Sequence, residues 1–194
     1  MKETLIGIGS LLVLLTVFFG FNAYIYSEKQ RDDGLFADPR NGLYFISGNP
    51  VQLIDGVAQV PAAPDSASMI TTQYFGNEAR GDFDGDGDQD IAFLITQDGG
   101  GSGIFFFLAG AINEGGTYRG TNAMLIGDRI APQNTQIGNF TDTSRQYVVV
   151  NYADRAPGEP MAQVPSVGKS LYAKYSAETN DFGELVQDFE GESR

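Results

Sequence analysis

The chain has 194 residues, 42% of them hydrophobic, enough to build the core of about one domain. Its 25 acidic residues against 12 basic ones leave a net charge of −13, which argues against a nucleic-acid partner, since that would need a basic face. It contains no Cys and no His, so disulfides, thiolate or imidazole metal sites and His-based nucleophilic triads are all excluded. Metal chemistry is left to oxygen ligands, which suit Ca²⁺ or Mg²⁺.

Residues 5–26 form an almost continuous apolar run without a single charge. As a helix this run spans roughly 33 Å, enough to cross a bilayer. Tyr24 and Tyr26 stand at its end, where interfacial aromatics collect. Lys2 lies before it, and Glu28, Lys29 and Arg31 lie after it. An uncleaved signal anchor fits these features best. A cleaved signal peptide would want a small residue two places before Ala23, where Phe21 stands. The start also resembles type IV pilins through Thr4-Leu5-Ile6, but Gly7 stands where those carry an acid. The basic residues on the two sides balance, so the charge rule gives no orientation.

Residues 1–27 are therefore read as a transmembrane anchor and the polar residues 28–41 as a linker. From residue 42 the texture changes to short β-prone runs broken by Gly, Pro, Asn and Asp. Candidate strands fall at residues 43–47, 51–54, 58–60, 69–75, 91–96, 104–112, 121–126, 135–137, 147–152 and 170–175. The expected fold is an all-β domain over 42–176, a compact sandwich or curved meander. A short helix has room in 61–70 or in the tail. Residues 177–194 are acidic and read as a solvated tail, with Phe182, Leu185, Val186 and Phe189 at the spacing of a weak amphipathic helix.

The sharpest signal is the run Gly81-Asp82-Phe83-Asp84-Gly85-Asp86-Gly87-Asp88-Gln89-Asp90, followed at once by Ile91-Ala92-Phe93-Leu94-Ile95. Alternating carboxylates repel one another in water, and a divalent cation resolves that repulsion by accepting several of their oxygens. Counted from Asp82, carboxylates fall at positions 1, 3, 5 and 9, the backbone carbonyl of Asp88 is available at position 7, and Gly87 sits at position 6, where such a loop turns. Position 12 is Phe93, so the closing Glu of an EF-hand is missing.

This pattern resembles the calcium loop of FG-GAP and VCBS-type repeats, and dockerins share its first half. The resemblance implies Asp82, Asp84, Asp86 and Asp90 as side-chain ligands of Ca²⁺ and Asp88 as a ligand through its carbonyl. It implies no propeller, because the loop occurs once. Loops of this kind in extracellular modules bind at about 10⁻⁴–10⁻³ M, so they fill outside the cell. That places the domain on the extracytoplasmic side of a single-pass cell-membrane protein. The stretches 22–30, 78–103, 120–133, 151–161 and 165–175 resemble a group of single-pass bacterial cell-envelope proteins, which implies an envelope location and no defined task.

Other motifs carry less. Gly168-Lys169-Ser170 ends like a P-loop, but Gln163 stands where its first glycine belongs. Ser166 and Lys169 fit a Ser-x-x-Lys element without its Lys-Thr-Gly companion. Residues 99–103 read as a glycine-rich hairpin loop, at the opposite end of a strand from the aspartates. Asp128-Arg129 and Asp154-Arg155 should face opposite sides of their strands, leaving the arginines for distant partners. Phe105, Phe106 and Phe107 suggest a central strand covered on both faces, or else a carbohydrate-stacking surface.

The functional expectation is a non-enzymatic, membrane-anchored calcium-binding β domain for adhesion, recognition or envelope structure, with a surface protein or glycan as its ligand. The alternatives are an envelope glycan or peptide hydrolase using carboxylates such as Asp154 and Glu159, and a pilin-like filament subunit.

Overall fold

In the computed structural model, which describes residues 34–141 and 145–185, the described residues are all-β. The anchor read at 5–26 and the last nine residues lie outside the described residues. Among the described ones no helix is long and apolar enough to cross a membrane.

Among the described residues, thirteen strands are joined in one sheet. They are β1 (Leu35–Phe36), β2 (Leu43–Ile46), β3 (Asn49–Gln52), β4 (Val57–Pro61), β5 (Met69–Gly81), β6 (Asp90–Asp98) and β7 (Ile104–Asn113), then β8 (Tyr118–Gly120), β9 (Asn122–Asp128), β10 (Ala131–Asn139), β11 (Gln146–Asp154), β12 (Val167–Ser176) and β13 (Asp181–Glu184). The main order is β10-β11-β12-β13-β9-β7-β6-β5-β4. β2 pairs with β9 in parallel and carries β3 on its other side. The β13–β9 pairing is also parallel, and the other pairings along the main order are antiparallel.

The central pair β6–β7 explains why the sequence after the aspartates is apolar without alternation. Strands buried on both faces lose the polar-out pattern. Ala92 and Leu94 of β6 face a core with Leu108, Ile112, Phe83, Val148, Val150, Leu171, Ala173, Tyr175 and Phe182. Ile91, Phe93 and Ile95 face a second core with Tyr44, Ile46, Leu53, Phe107, Ala109 and Ala111. Successive side chains of a strand point to opposite faces, so one strand serves two cores. The sheet curls around the first core until β10 lies alongside β5.

The phenylalanine triplet behaves as a covered strand requires. Phe106 and Phe107 are buried and Phe105 is half exposed. Phe106 takes the edge of Phe75, with ring centroids 5.3 Å apart. This leaves no row of open aromatic faces for carbohydrate stacking.

Three expectations are corrected. The linker read at 28–41 already belongs to the domain at its end. Phe36 packs on Tyr44 and Tyr118 with ring centroids 5.5 and 6.3 Å away, and the Tyr44 hydroxyl donates to the Pro39 carbonyl at 2.7 Å. No α-helix occurs among the described residues. Residues 62–68 close as a turn in which the Ala62 N–H donates to the Ser68 carbonyl at 2.8 Å. The tail is not solvated from 177 onward, because β13 pairs with β12 and buries Phe182.

Strand lengths also differ from the sequence reading. β5 runs to Gly81 because it bends instead of ending at Phe75. Gly76 (φ +98°) and Asn77 (φ +50°) mark the bulge, where the register with β6 shifts. The strand expected at 121–126 is β9 without its first residue, because Thr121 separates β9 from β8. This residue is fully buried and turns its hydroxyl to accept the Gly110 N–H at 2.9 Å.

Candidate metal centre

The aspartate loop connects β5 to β6, so the curled sheet fixes both of its ends. At its start, the Gln146 N–H donates to the Asp82 carbonyl at 2.8 Å, and the Gln146 side-chain oxygen accepts the Asp82 N–H at 3.0 Å. Arg145 donates to the carbonyls of Phe83, at 3.1 Å, and Tyr175, at 2.8 Å. Phe83 is buried under the loop against Phe182, ring centroids 5.6 Å apart.

Between these ends the backbone folds around its own carboxylates. Asp82 accepts the N–H of Gly85 at 2.7 Å on one oxygen and that of Gly87 at 3.1 Å on the other. Asp84 accepts the Asp86 N–H at 3.1 Å, and Asp86 accepts the Asp88 N–H at 2.8 Å. Gly85 and Gly87 take φ of +90° and +93°, which a side chain would resist. The result is a turn with three carboxylates gathered together. Asp82, Asp84 and Asp86 each offer an oxygen within 4.8 Å of the others. Like charges at that separation repel by about 1 kcal/mol per pair in water and about 3 kcal/mol near a protein surface. Desolvation pushes the Asp84 carboxyl up, and the charges of Asp86 and Asp82 add to this, while the Asp86 N–H works against it.

The remaining two aspartates play different parts. Asp88 is exposed, and its side chain stands outside the cluster. Asp90 is fully buried, and its two oxygens accept the N–H groups of Phe83 and Asn113, both at 2.8 Å. It thus staples the loop to the end of β7. Asn113 adds a bond from its side chain to the Gln89 carbonyl at 3.3 Å. Asn113, Arg145 and Gln146 carried no sequence signal, since they lie 23 to 64 residues away from their partners.

The donor set is all oxygen, which fits a hard divalent cation. The three carboxylates would hold it, and the loop carbonyls would complete the shell. Such a cation would supply charge neutralisation and cross-linking of the turn.

Burial pushes the Asp90 carboxyl up to about 6, with Asp84 and Asp86 adding to the rise and the two backbone N–H groups opposing it. A raised carboxyl favours the protonated form in the folded chain. In chelator, Asp90 therefore contributes stability that grows as pH falls from about 6 towards the ordinary aspartate value of 3.8, at most about 3 kcal/mol. Urea titrations across that window should show a shallower slope for Asp90→Asn than for wild type. Equal slopes would contradict the assignment.

The other sequence motifs are accounted for locally. Gly168, Lys169 and Ser170 lie inside β12, paired with Ala153, Tyr152 and Asn151, so no phosphate loop forms there. Asp154 pairs with Lys169 at 2.7 Å, and Glu159 accepts the Ala156 N–H at 2.8 Å. Arg155 donates to the carbonyls of Gln163 and Arg129. Arg129 does pair with its neighbour Asp128, at 3.0 Å, contrary to expectation. Alternation fails there because Arg129 lies past the end of β9 with φ +50°. The glycine-rich loop joins β6 to β7 at the end away from the aspartates.

Comparison with family profiles, curated proteins and solved structures returned no match.

Proposed function

We propose that this chain is a membrane-anchored, extracytoplasmic β domain that binds one Ca²⁺ and serves adhesion, recognition or envelope structure without catalysing a reaction. One observation carries the reading: Asp82, Asp84 and Asp86 gather three carboxylates on a glycine-turned loop whose ends are stapled to the sheet. Gathered, these charges repel one another, and a cation at their centre would offset that repulsion. The apolar run at 5–26 supports the anchor, and the weak affinity typical of such loops supports a calcium-rich compartment. The resemblance to FG-GAP loops covers the aspartate loop from Asp82 and the start of the apolar strand after it, and supports the ion alone.

The absence of cysteine makes the location testable. Ser102 is exposed on the β6–β7 connection. In cells expressing Ser102→Cys, a membrane-impermeant maleimide should label the chain without permeabilisation. Labelling only after the membrane is opened would overturn the extracytoplasmic placement.

A further inference from the structure

Away from the aspartate loop, at the other end of the β5–β6 pair, the sheet has a gap. β4 is the last strand of the main order, and β3 pairs with β2 alone. The two are joined by a turn at residues 53–56 and touch through a single bridge. There the Ile54 N–H donates to Val57 at 2.9 Å and the Val57 N–H donates to Ile54 at 3.1 Å. Beyond that bridge a groove of about 690 Å³ opens between them. Ile46, Val51, Ala58, Val60, Ile70 and Thr72 are among its lining.

The hydrogen-bond phase of each edge follows from its inner partner. The Leu53 N–H donates to Gly42, so Val51 and Asn49 turn their backbone towards β2 while Pro50 and Gln52 turn theirs outward. The Tyr74 N–H donates to Gly56 and the Ala62 N–H to Ser68, so Ala58 and Val60 face β5 while Gln59 and Pro61 face outward. The two edges therefore present the carbonyls of Pro50, Gln52, Gln59 and Pro61. They present only the N–H groups of Gln52 and Gln59, because proline has none. Among the described residues, no strand pairs with either edge.

We propose that this gap docks one extended, uncharged peptide strand of a partner protein, with apolar side chains at alternate positions. Two facing rows of backbone groups call for backbone, and β-augmentation is the physical form of that contact. No charged side chain lines the groove, although the chain carries 25 acidic and 12 basic residues. A charged occupant would be buried there without a counter-charge. This excludes the acidic end of the chain, with Asp188, Glu190 and Glu192. A second copy of β4 is disfavoured as well, because Pro61 leaves Gln59 as the only outward donor on that edge. Half-exposed Val60 and exposed Ile54 rim the groove and gain cover when it fills.

The probe is a phage-displayed library of random heptapeptides, panned on the full chain in neutral detergent. Enrichment of uncharged peptides with alternating apolar residues is expected. A synthetic peptide of that consensus should bind by fluorescence polarisation. Its affinity should fall at least tenfold with Val60→Lys, with Ile54→Lys, and when alternate amides are N-methylated in at least one of the two phases. Both substitutions lie at exposed positions and leave the cores untouched. Asp84→Ala should leave peptide binding unchanged, which separates this proposal from the calcium reading. Failure of the library to enrich, a charged or non-alternating consensus, or binding indifferent to N-methylation and to both lysine variants would overturn it.

Discussion

Asp84→Ala is expected to remove a calcium-dependent rise in melting temperature that the wild-type chain shows. A ligand that binds only the folded state adds RT ln(1 + [L]/Kd), about 2.7 kcal/mol at a hundredfold excess over Kd. For a domain of this size that corresponds to a rise of about 5–10 °C. Asp84 is the middle of the three gathered carboxylates, so its loss leaves Asp82 and Asp86 without their shared neighbour. In chelator the variant should melt within a few degrees of wild type. It loses the bond to the Asp86 N–H but also the desolvation and the repulsion by Asp86 and Asp82 that push its own carboxyl up. The measurement is a thermal scan of both proteins in Ca²⁺, in Mg²⁺ and in chelator. A calcium shift that survives the substitution would move the ion away from this loop.

Phe182→Ala should be the most damaging change in the part of the chain that reads as an acidic tail. Phe182 is 3% exposed and fills the first core between Phe83 and Tyr175, with ring centroids at 5.6 and 5.8 Å. Its ring also lies 2.7 Å from where a Cβ on Gly110 would stand, so that glycine makes room for it. Removing a buried phenylalanine costs about 3–5 kcal/mol, a large part of an ordinary domain's 5–15 kcal/mol. Urea unfolding should show that loss, and Phe182→Leu should recover most of it. Because Phe182 supports Phe83 beneath the aspartate loop, the alanine variant should also bind calcium more weakly. A loss under about 1 kcal/mol would return β13 to the status of a loosely attached end.

The comparison of sequence and structure follows a physical line. Strands with a two-residue period or an unbroken apolar run were legible, and β6, β7 and β11 fall where their residues suggest. β13 was misread, because Phe182, Leu185, Val186 and Phe189 carry the spacing of a helix, while within Asp181–Glu184 a single phenylalanine shows no two-residue period. Its burial depends on Gly110, Tyr175 and Phe83, which are distant in the chain. The bulge at Gly76 and Asn77 carries β5 past residue 75, where the β-prone run ends.

At the site, spacing found the five aspartates, but nothing in it set Asp90 apart from Asp82, Asp84 and Asp86. Asp82, Asp84 and Asp86 converge because Asx-type bonds to the loop backbone turn them inward. Asp90 differs because it opens β6, where the sheet buries it and two backbone N–H groups claim its oxygens. That distinction comes from Asn113 across the sheet, which no local pattern announces.

The most direct test of the central claim is equilibrium dialysis of the full chain in neutral detergent against ⁴⁵Ca²⁺ at neutral pH. One ion per chain is predicted, retained against an equal concentration of Mg²⁺ and lost in Asp84→Ala. Binding of no ion, or binding that Asp84→Ala leaves intact, would contradict a calcium site at Asp82, Asp84 and Asp86.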